Sequence, residues 1–260
     1  MATYLDGILL AHRLTAAGDH RQEADLRRHA EAAPPPRGFA AALRAAEGLA
    51  VIAEVKRRSP SKGDLFADLD PAALARQYEA GGATCLSVLT DEVHFGGSRD
   101  DLVAAREACR LPVLRKDFTV SVNDVLDARI MGADCVLLIA AALDDDELAV
   151  FHRVATEVGL DALVEVHDEA ELERALEAGA TLIGVNQRDL VTFEVDHERA
   201  ARMAQAFPDH VVSVAESGVR GPEDAAVLAD AGYDAVLVGE SLVTAGDPTA
   251  AVAALRAAAR

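Results

Sequence analysis

The feature that most constrains this 260-residue chain is a repeating beat of short apolar runs, each followed by a longer amphipathic segment. The runs fall near residues 49 to 56, 84 to 89, 112 to 117, 133 to 139, 161 to 166, 180 to 186, 210 to 215 and 234 to 238. They are too short for helices and read as buried strands. A strand followed by a helix and another strand calls for parallel pairing through right-handed crossovers. Eight such units between residues 49 and 260 match a closed (β/α)8 TIM barrel better than an open sheet. An apolar content of 51% is enough for one sizeable core.

A weaker internal repeat supports closure. Gly82-Ala83-Thr84, Gly132-Ala133-Asp134, Gly179-Ala180-Thr181 and Gly232-Tyr233-Asp234 precede the second, fourth, sixth and eighth strands. Glycine there can turn left-handed and end a helix, so these residues are given a structural role only. Asp168, with Glu171 three residues on, reads as the cap that opens the fifth helix. Ahead of the barrel, Leu5, Ile8, Leu9 and His12 recur at helical intervals until Pro34-Pro35-Pro36 stops the pattern. Residues 1–48 are therefore an N-terminal helical extension and 49–260 the barrel, one domain overall. The extension is expected to pack against one end and help cover the mouth.

Lys and Arg number 25 against 44 Asp and Glu, a formal charge of −19, which argues against nucleic acid or an anionic membrane as partner. No apolar run is long enough to span a membrane, and Ile8-Leu9-Leu10-Ala11 is too short for a signal core. Cys85, Cys109 and Cys135 lack metal-ligand spacing and read as buried small hydrophobes in a reducing compartment. The expectation is a cytoplasmic protein acting on a small molecule, monomeric or at most a weak homo-oligomer.

In such a barrel the chemistry belongs at the carboxyl ends of the strands. Glu54 and Lys56 stand at the end of the first strand, on one face because they are two residues apart. Arg115-Lys116-Asp117-Phe118 ends the third, Glu165 the fifth, Asn186-Gln187-Arg188 the sixth, Glu216-Ser217-Gly218 the seventh and Gly239-Glu240 the eighth. Charge converges on one mouth. The loops after strands seven and eight form the usual phosphate cup of such barrels, so Ser59, Ser217, Gly218, Gly239 and Glu240 are its candidate donors. Lys56, Arg57, Arg58 and Lys62 form a basic cluster suited to an anion.

These residues also carry a resemblance. Glu54-Val55-Lys56-Arg57-Arg58-Ser59-Pro60-Ser61-Lys62-Gly63, Phe95-Gly96-Gly97-Ser98, Leu114-Arg115-Lys116-Asp117-Phe118, Glu165-Val166-His167, Asn186-Gln187-Arg188-Asp189-Leu190 and Glu216-Ser217-Gly218 resemble indole-3-glycerol-phosphate synthases along nearly the whole chain. The resemblance implies a carboxy-lyase of tryptophan biosynthesis. Its substrate is 1-(2-carboxyphenylamino)-1-deoxyribulose 5-phosphate, its product indole-3-glycerol phosphate, with loss of carbon dioxide and water and no cofactor or metal. It implies Lys116 as general acid for ring closure, with Lys56 and Glu165 sharing later acid and base work and Glu54 orienting Lys56. Asn186 and Arg188 position the substrate, Glu216 contacts it, and Phe95, Phe118 and Leu137 wall the anthranilate ring. The sequence departs from the family pattern at Gln187 and in 119–123. Neighbouring lysines are expected to compete for protonation, which lowers the pKa of one. His94 and His167 sit in no charge relay visible in the sequence.

Two alternatives stay open at this point. A phosphoribosylanthranilate isomerase-like barrel calls for a Cys and Asp pair at the mouth, which Glu54, Lys56 and Lys116 do not supply. A non-catalytic or secondary-pathway paralogue is the other.

Overall fold

Each apolar run becomes a strand because its side chains alternate between two covered faces, helices outside and other side chains within. In the computed structural model, which describes residues 4–59, 63–66 and 68–258, the strands are β1 (Ala50–Val55), β2 (Cys85–Leu89), β3 (Val113–Lys116), β4 (Cys135–Ile139), β5 (Asp161–Val166), β6 (Leu182–Asn186), β7 (Val212–Glu216) and β8 (Ala235–Val238). All neighbours run parallel, and β8 pairs back with β1, placing Ala50 opposite Ala235. The barrel is closed, as the alternation predicts.

Outward residues such as Val51, Ala53, Leu86, Val136, Val164 and Val236 pack under the surrounding helices. Inward residues fill the lumen, among them Ile52, Leu114, Leu137, Leu163, Leu182, Val214 and Leu237. The lumen is therefore a packed core below its charged top. Gly82, Gly132, Gly179 and Gly232 have φ of +87°, +93°, +85° and +102°, the left-handed conformation expected where helices end. Cys85, Cys109 and Cys135 are buried free thiols.

The helices, in order, are α1 (Tyr4–Ala17), α2 (Glu23–Ala32), α3 (Phe39–Arg44), α4 (Pro71–Gly81), α5 (Arg99–Ala108), α6 (Val122–Ile130), α7 (Asp145–Glu157), α8 (Glu169–Glu177), α9 (Arg199–Met203), α10 (Pro222–Asp230) and α11 (Pro248–Ala257), with shorter turns between. The first three do not dock at one end as expected. Helix α1 lies at the mouth, where Arg13 clasps Glu147 at 2.6 and 2.8 Å and His12 Nε2 lies 3.0 Å from Asp91 Oδ2. Helix α2 runs down the flank against α6. Helix α3 plugs the floor: Phe39, Ala40 and Leu43 are buried in the lumen core beside Ala50, Cys135 and Val212. The apolar side chains of α3 find their cover at the floor. Among the described residues, no helix is long and apolar enough to cross a membrane.

Candidate active site

The two-residue period that builds the lumen also builds the site. Ile52 and Glu54 share a face of β1, Leu114 and Lys116 of β3, Leu163 and Glu165 of β5, and Val214 and Glu216 of β7. The charged residues are thus the topmost inward layer of the barrel, standing on aliphatic layers below. They line a cavity of about 570 Å³, within the ~300–1,000 Å³ range of small-molecule sites.

Three buried glutamates share two lysines there. Lys116 Nζ donates to Glu165 Oε2 at 2.9 Å and to Glu216 Oε2 at 2.8 Å, while Lys56 Nζ donates to Glu54 Oε1 at 2.5 Å. Asn186 Nδ2 adds a bond to Glu165 Oε1 at 3.0 Å. Glu165 and Glu216 keep only 2% and 1% of their surface in solvent, so water cannot dilute this crowding. Burial works against the ammonium of Lys116, but Glu165, Glu216 and Glu54 outweigh it and raise its pKa. That corrects the expectation of competing lysines for Lys116: carboxylates, not the neighbouring ammonium, set its charge. For Glu165, burial is overcome by Lys116, His167 and the Asn186 hydrogen bond, which hold the carboxyl well below its usual range. Glu216 goes the other way, pushed up to about 7 by burial and by Glu165, with Lys116 opposing.

Glu216 is the group left over. Its Oε1 has no hydrogen-bond partner and lies against Gly184 of β6, where a Cβ would come within 2.1 Å of that oxygen. Gly239 has a similar use, since a Cβ there would meet Glu54 Oε1 at 2.2 Å and Lys56 Nζ at 3.1 Å. Glycine at 239 thus gives headroom to the Glu54–Lys56 pair, a reason distinct from phosphate donation.

On the far side, Ser217 and Gly218 both take left-handed backbone, φ +64° and +76°. For Ser217 this conformation is costly and must be held from outside. Gln187 does so: buried, it donates from Nε2 to the Ser217 carbonyl at 2.8 Å, tying the loop after β6 to the loop after β7. A Cβ at Gly218 would meet Val195 Cγ1 at 2.7 Å and His197 Nδ1 at 3.0 Å. The departure at Gln187 therefore falls on a residue that holds the loop and does not line the cavity.

Lys116, Lys56, Glu165, Glu54 and Asn186 all border this cavity. So do Ser59, Arg188, Glu216, Ser217, Gly218, Gly239 and Glu240, with Phe95, Phe118 and Leu137 as apolar walls. The Phe95 and Phe118 rings lie 6.4 Å apart, tilted, on one side. Arg57 and Arg58 turn elsewhere: Arg57 pairs with Asp101 at 2.8 and 2.9 Å, and Arg58 holds the carbonyls of Glu92 and Val93. Pro60, Ser61 and Lys62 lie outside the described residues. Arg115 likewise faces away from the cavity, bonding Thr90, Asp117 and the Asp124 carbonyl. Sequence reasoning missed Asp91, Phe193, His197 and Arg220 on the rim. They stand on loops, where no period predicts which way a side chain points.

The family profile described as indole-3-glycerol phosphate synthase matches residues 8–255 of the chain. An indole-3-glycerol phosphate synthase of Streptomyces griseus is 56% identical over 234 residues, covering 90% of this chain and 87% of that protein. Indole-3-glycerol phosphate synthase 2 of Streptomyces coelicolor is 58% identical over 228 residues, 88% of each chain. One from Mycolicibacterium gilvum is 52% identical over 256 residues, 98% of this chain and 94% of that one. Among solved structures, a thiamine phosphate pyrophosphorylase of Pyrococcus furiosus superposes with a TM-score of 0.61 at 17% identity, over 81% of this chain and 95% of that one. At that identity the likeness speaks for the barrel fold alone.

Proposed function

The chain belongs to the indole-3-glycerol phosphate synthase family, and from that premise we propose how its barrel mouth closes an indole ring. The protein is an indole-3-glycerol-phosphate synthase, a carboxy-lyase of tryptophan biosynthesis. It takes 1-(2-carboxyphenylamino)-1-deoxyribulose 5-phosphate to indole-3-glycerol phosphate, carbon dioxide and water. The observation that carries the proposed mechanism is the two-sided clasp of Lys116 by Glu165 and Glu216.

In the first step the ring carbon bearing the carboxylate attacks the ketone carbon. Lys116, kept charged by its two carboxylates, gives a proton to the ketone oxygen as it becomes an alkoxide. Carbon dioxide then leaves, its bonding pair returning to the ring. The apolar walls Phe95, Phe118 and Leu137 exclude water that would stabilise the departing carboxylate. In the second step Lys56, oriented by Glu54, protonates the new hydroxyl, and Glu165 takes the carbon-bound proton lost as the double bond forms. Asn186 and Arg188 position the sugar hydroxyls and the anthranilate end. Ser59, Ser217, Gly218, Gly239 and Glu240 receive the phosphate with hydroxyl and main-chain donors.

We place the enzyme in the cytoplasm, as a monomer. The buried α3 supports treating residues 1–48 and 49–260 as one domain. The decisive experiment is single-turnover kinetics of Lys56→Met and Lys116→Met, followed by indole fluorescence and quenched product analysis. Lys56→Met is expected to accumulate a ring-closed, still hydroxylated species that Lys116→Met never forms. The reverse pattern sinks the assignment of roles.

A further inference from the structure

The reaction consumes a proton, and the structure holds an unassigned route for it. The substrate enters with a carboxylate that the product lacks, while carbon dioxide and water leave uncharged. Charge balances only if one proton enters per turnover. In terms of bonds, one proton goes to the ketone oxygen and one to the departing hydroxyl, while Glu165 recovers one from carbon. The cluster of lysines and glutamates finishes one proton short. During those steps the substrate occupies the mouth, so that side is blocked.

Behind Glu165 stands His167, two residues on along the same strand end. Its Nδ1 lies 3.1 Å from Glu171 Oε2, and the same oxygen accepts the His167 backbone N–H at 2.8 Å. This is the acid expected to complete the cap of α8; instead of reaching back to Asp168, it grips His167. The grip fixes the tautomer, because Nδ1 must carry a hydrogen to bond a carboxylate. Nε2 is then left buried with no hydrogen-bond partner, 3.8 Å from Glu165 Oε1. An approach of about 1 Å turns that gap into a hydrogen bond. The side chains of His167 and Glu171 are 14% and 17% exposed, so the outer end of this line reaches water while its inner end meets the base.

We propose that His167, positioned by Glu171, relays the proton consumed in each turnover from solvent to Glu165. The charges around it suit that work. Burial disfavours the imidazolium and Arg199 repels it, but Glu171 and Glu165 outweigh both and raise its pKa above the ordinary 6.5. A protonated ring directs Nε2–H at Glu165; having delivered that proton, the side chain must swing so that the emptied Nε2 reaches the water beside Glu171, where it is recharged. The proposal rests on Glu165 being the base of the second step, and on no other part of the mechanism.

The test is His167→Ala, assayed in three ways. With enzyme in excess, one turnover proceeds at a rate close to wild type, because both lysines start charged. In steady state, kcat falls about tenfold or more at pH 8.5, with a smaller loss at pH 6 and little change in KM. Imidazole added to the buffer restores kcat, which no purely structural role for His167 predicts. Glu171→Gln, a milder change, shows the same split between single and multiple turnovers. An unchanged kcat overturns the proposal, as does a fall of single-turnover and steady-state rates together without imidazole rescue. Failure of the wild-type protein to form product in a single turnover overturns the enzymatic reading instead.

Discussion

The floor and the mouth of this barrel bury the same chemical group to opposite ends. At the floor, the fully buried Asp134 accepts from the Arg37 and Val113 backbone N–H groups, both at 2.8 Å, and from Arg106 at 3.1 Å. Beside it, the half-buried Asp161 accepts from the Ala40 N–H at 2.9 Å and the exposed Asp234 from the N–H and hydroxyl of Ser213 at 2.7 and 3.0 Å. These carboxylates stitch strands and the extension together. At the mouth, Glu216 is as deeply buried yet has one oxygen unpartnered and shares a single lysine with Glu165. Burial alone therefore does not distinguish the two ends; the partners do, backbone N–H groups and an arginine around Asp134 at the floor and one shared lysine between Glu165 and Glu216 at the mouth.

The strongest challenge to that contrast is Lys116→Met. Loss of a positioned general acid should lower turnover by about 10²–10⁴-fold, read as indole fluorescence, with a far smaller change in KM. Near-normal turnover would show that the crowded carboxylates serve no acid. Next is Asp134→Asn at the floor, where an amide offers one acceptor oxygen to several donors. Denaturant unfolding should show a loss of about 3 kcal/mol, while the folded fraction turns over normally.

Glu216→Gln sharpens the comparison through its pH dependence. Glu216 has a folded pKa raised from 4.5 to about 7, so the native state holds its proton longer than the unfolded chain does. Stability therefore falls as pH rises from 4.5 to about 7, the opposite of the usual carboxylate. The variant lacks that fall, so its Tm relative to wild type should climb between pH 5 and 7.5 even as activity drops. A flat difference across those pH values would remove the strain assigned to Glu216. The smallest effect is expected from Ser217→Ala, which should weaken phosphate or sulfate binding by about 1 kcal/mol by titration, one neutral hydrogen bond's worth. A bulky residue at Gly218 should do more, because its Cβ already collides with Val195.

The period of two made the barrel legible, and the rule that barrel chemistry sits at strand ends made the charged layer legible with it. What strand position cannot convey is the balance of charge once side chains meet. The sequence shows Lys56 and Lys116 as a pair of ammonium groups, but only the closed barrel shows Glu165 and Glu216 converging on one of them. Gly184 carried no signal at all, since its use is a vacancy beside a residue on the next strand. Arg57 and Arg58 read as anion ligands because they are adjacent in sequence to Lys56, yet the chain leaves β1 there and turns them toward Asp101 and the Glu92–Phe95 turn. The split of the extension between mouth and floor was equally hidden, because helical periodicity says which face is apolar but not what covers it.

That split sets a timetable for synthesis. The extension is made before the barrel it docks on, and its anchors come late: Arg13 waits for Glu147, 134 residues downstream, and Ala40 for Asp161, 121 residues downstream. At roughly 5–20 residues per second, that is on the order of ten seconds in which Leu26, Phe39 and Leu43 lack their full native cover. The floor itself is finished only when β8, the eighth strand of the barrel, pairs with β1. The nascent extension thus waits as an apolar arm for most of translation, and chaperone engagement of this enzyme is expected to concentrate on its first forty-eight residues.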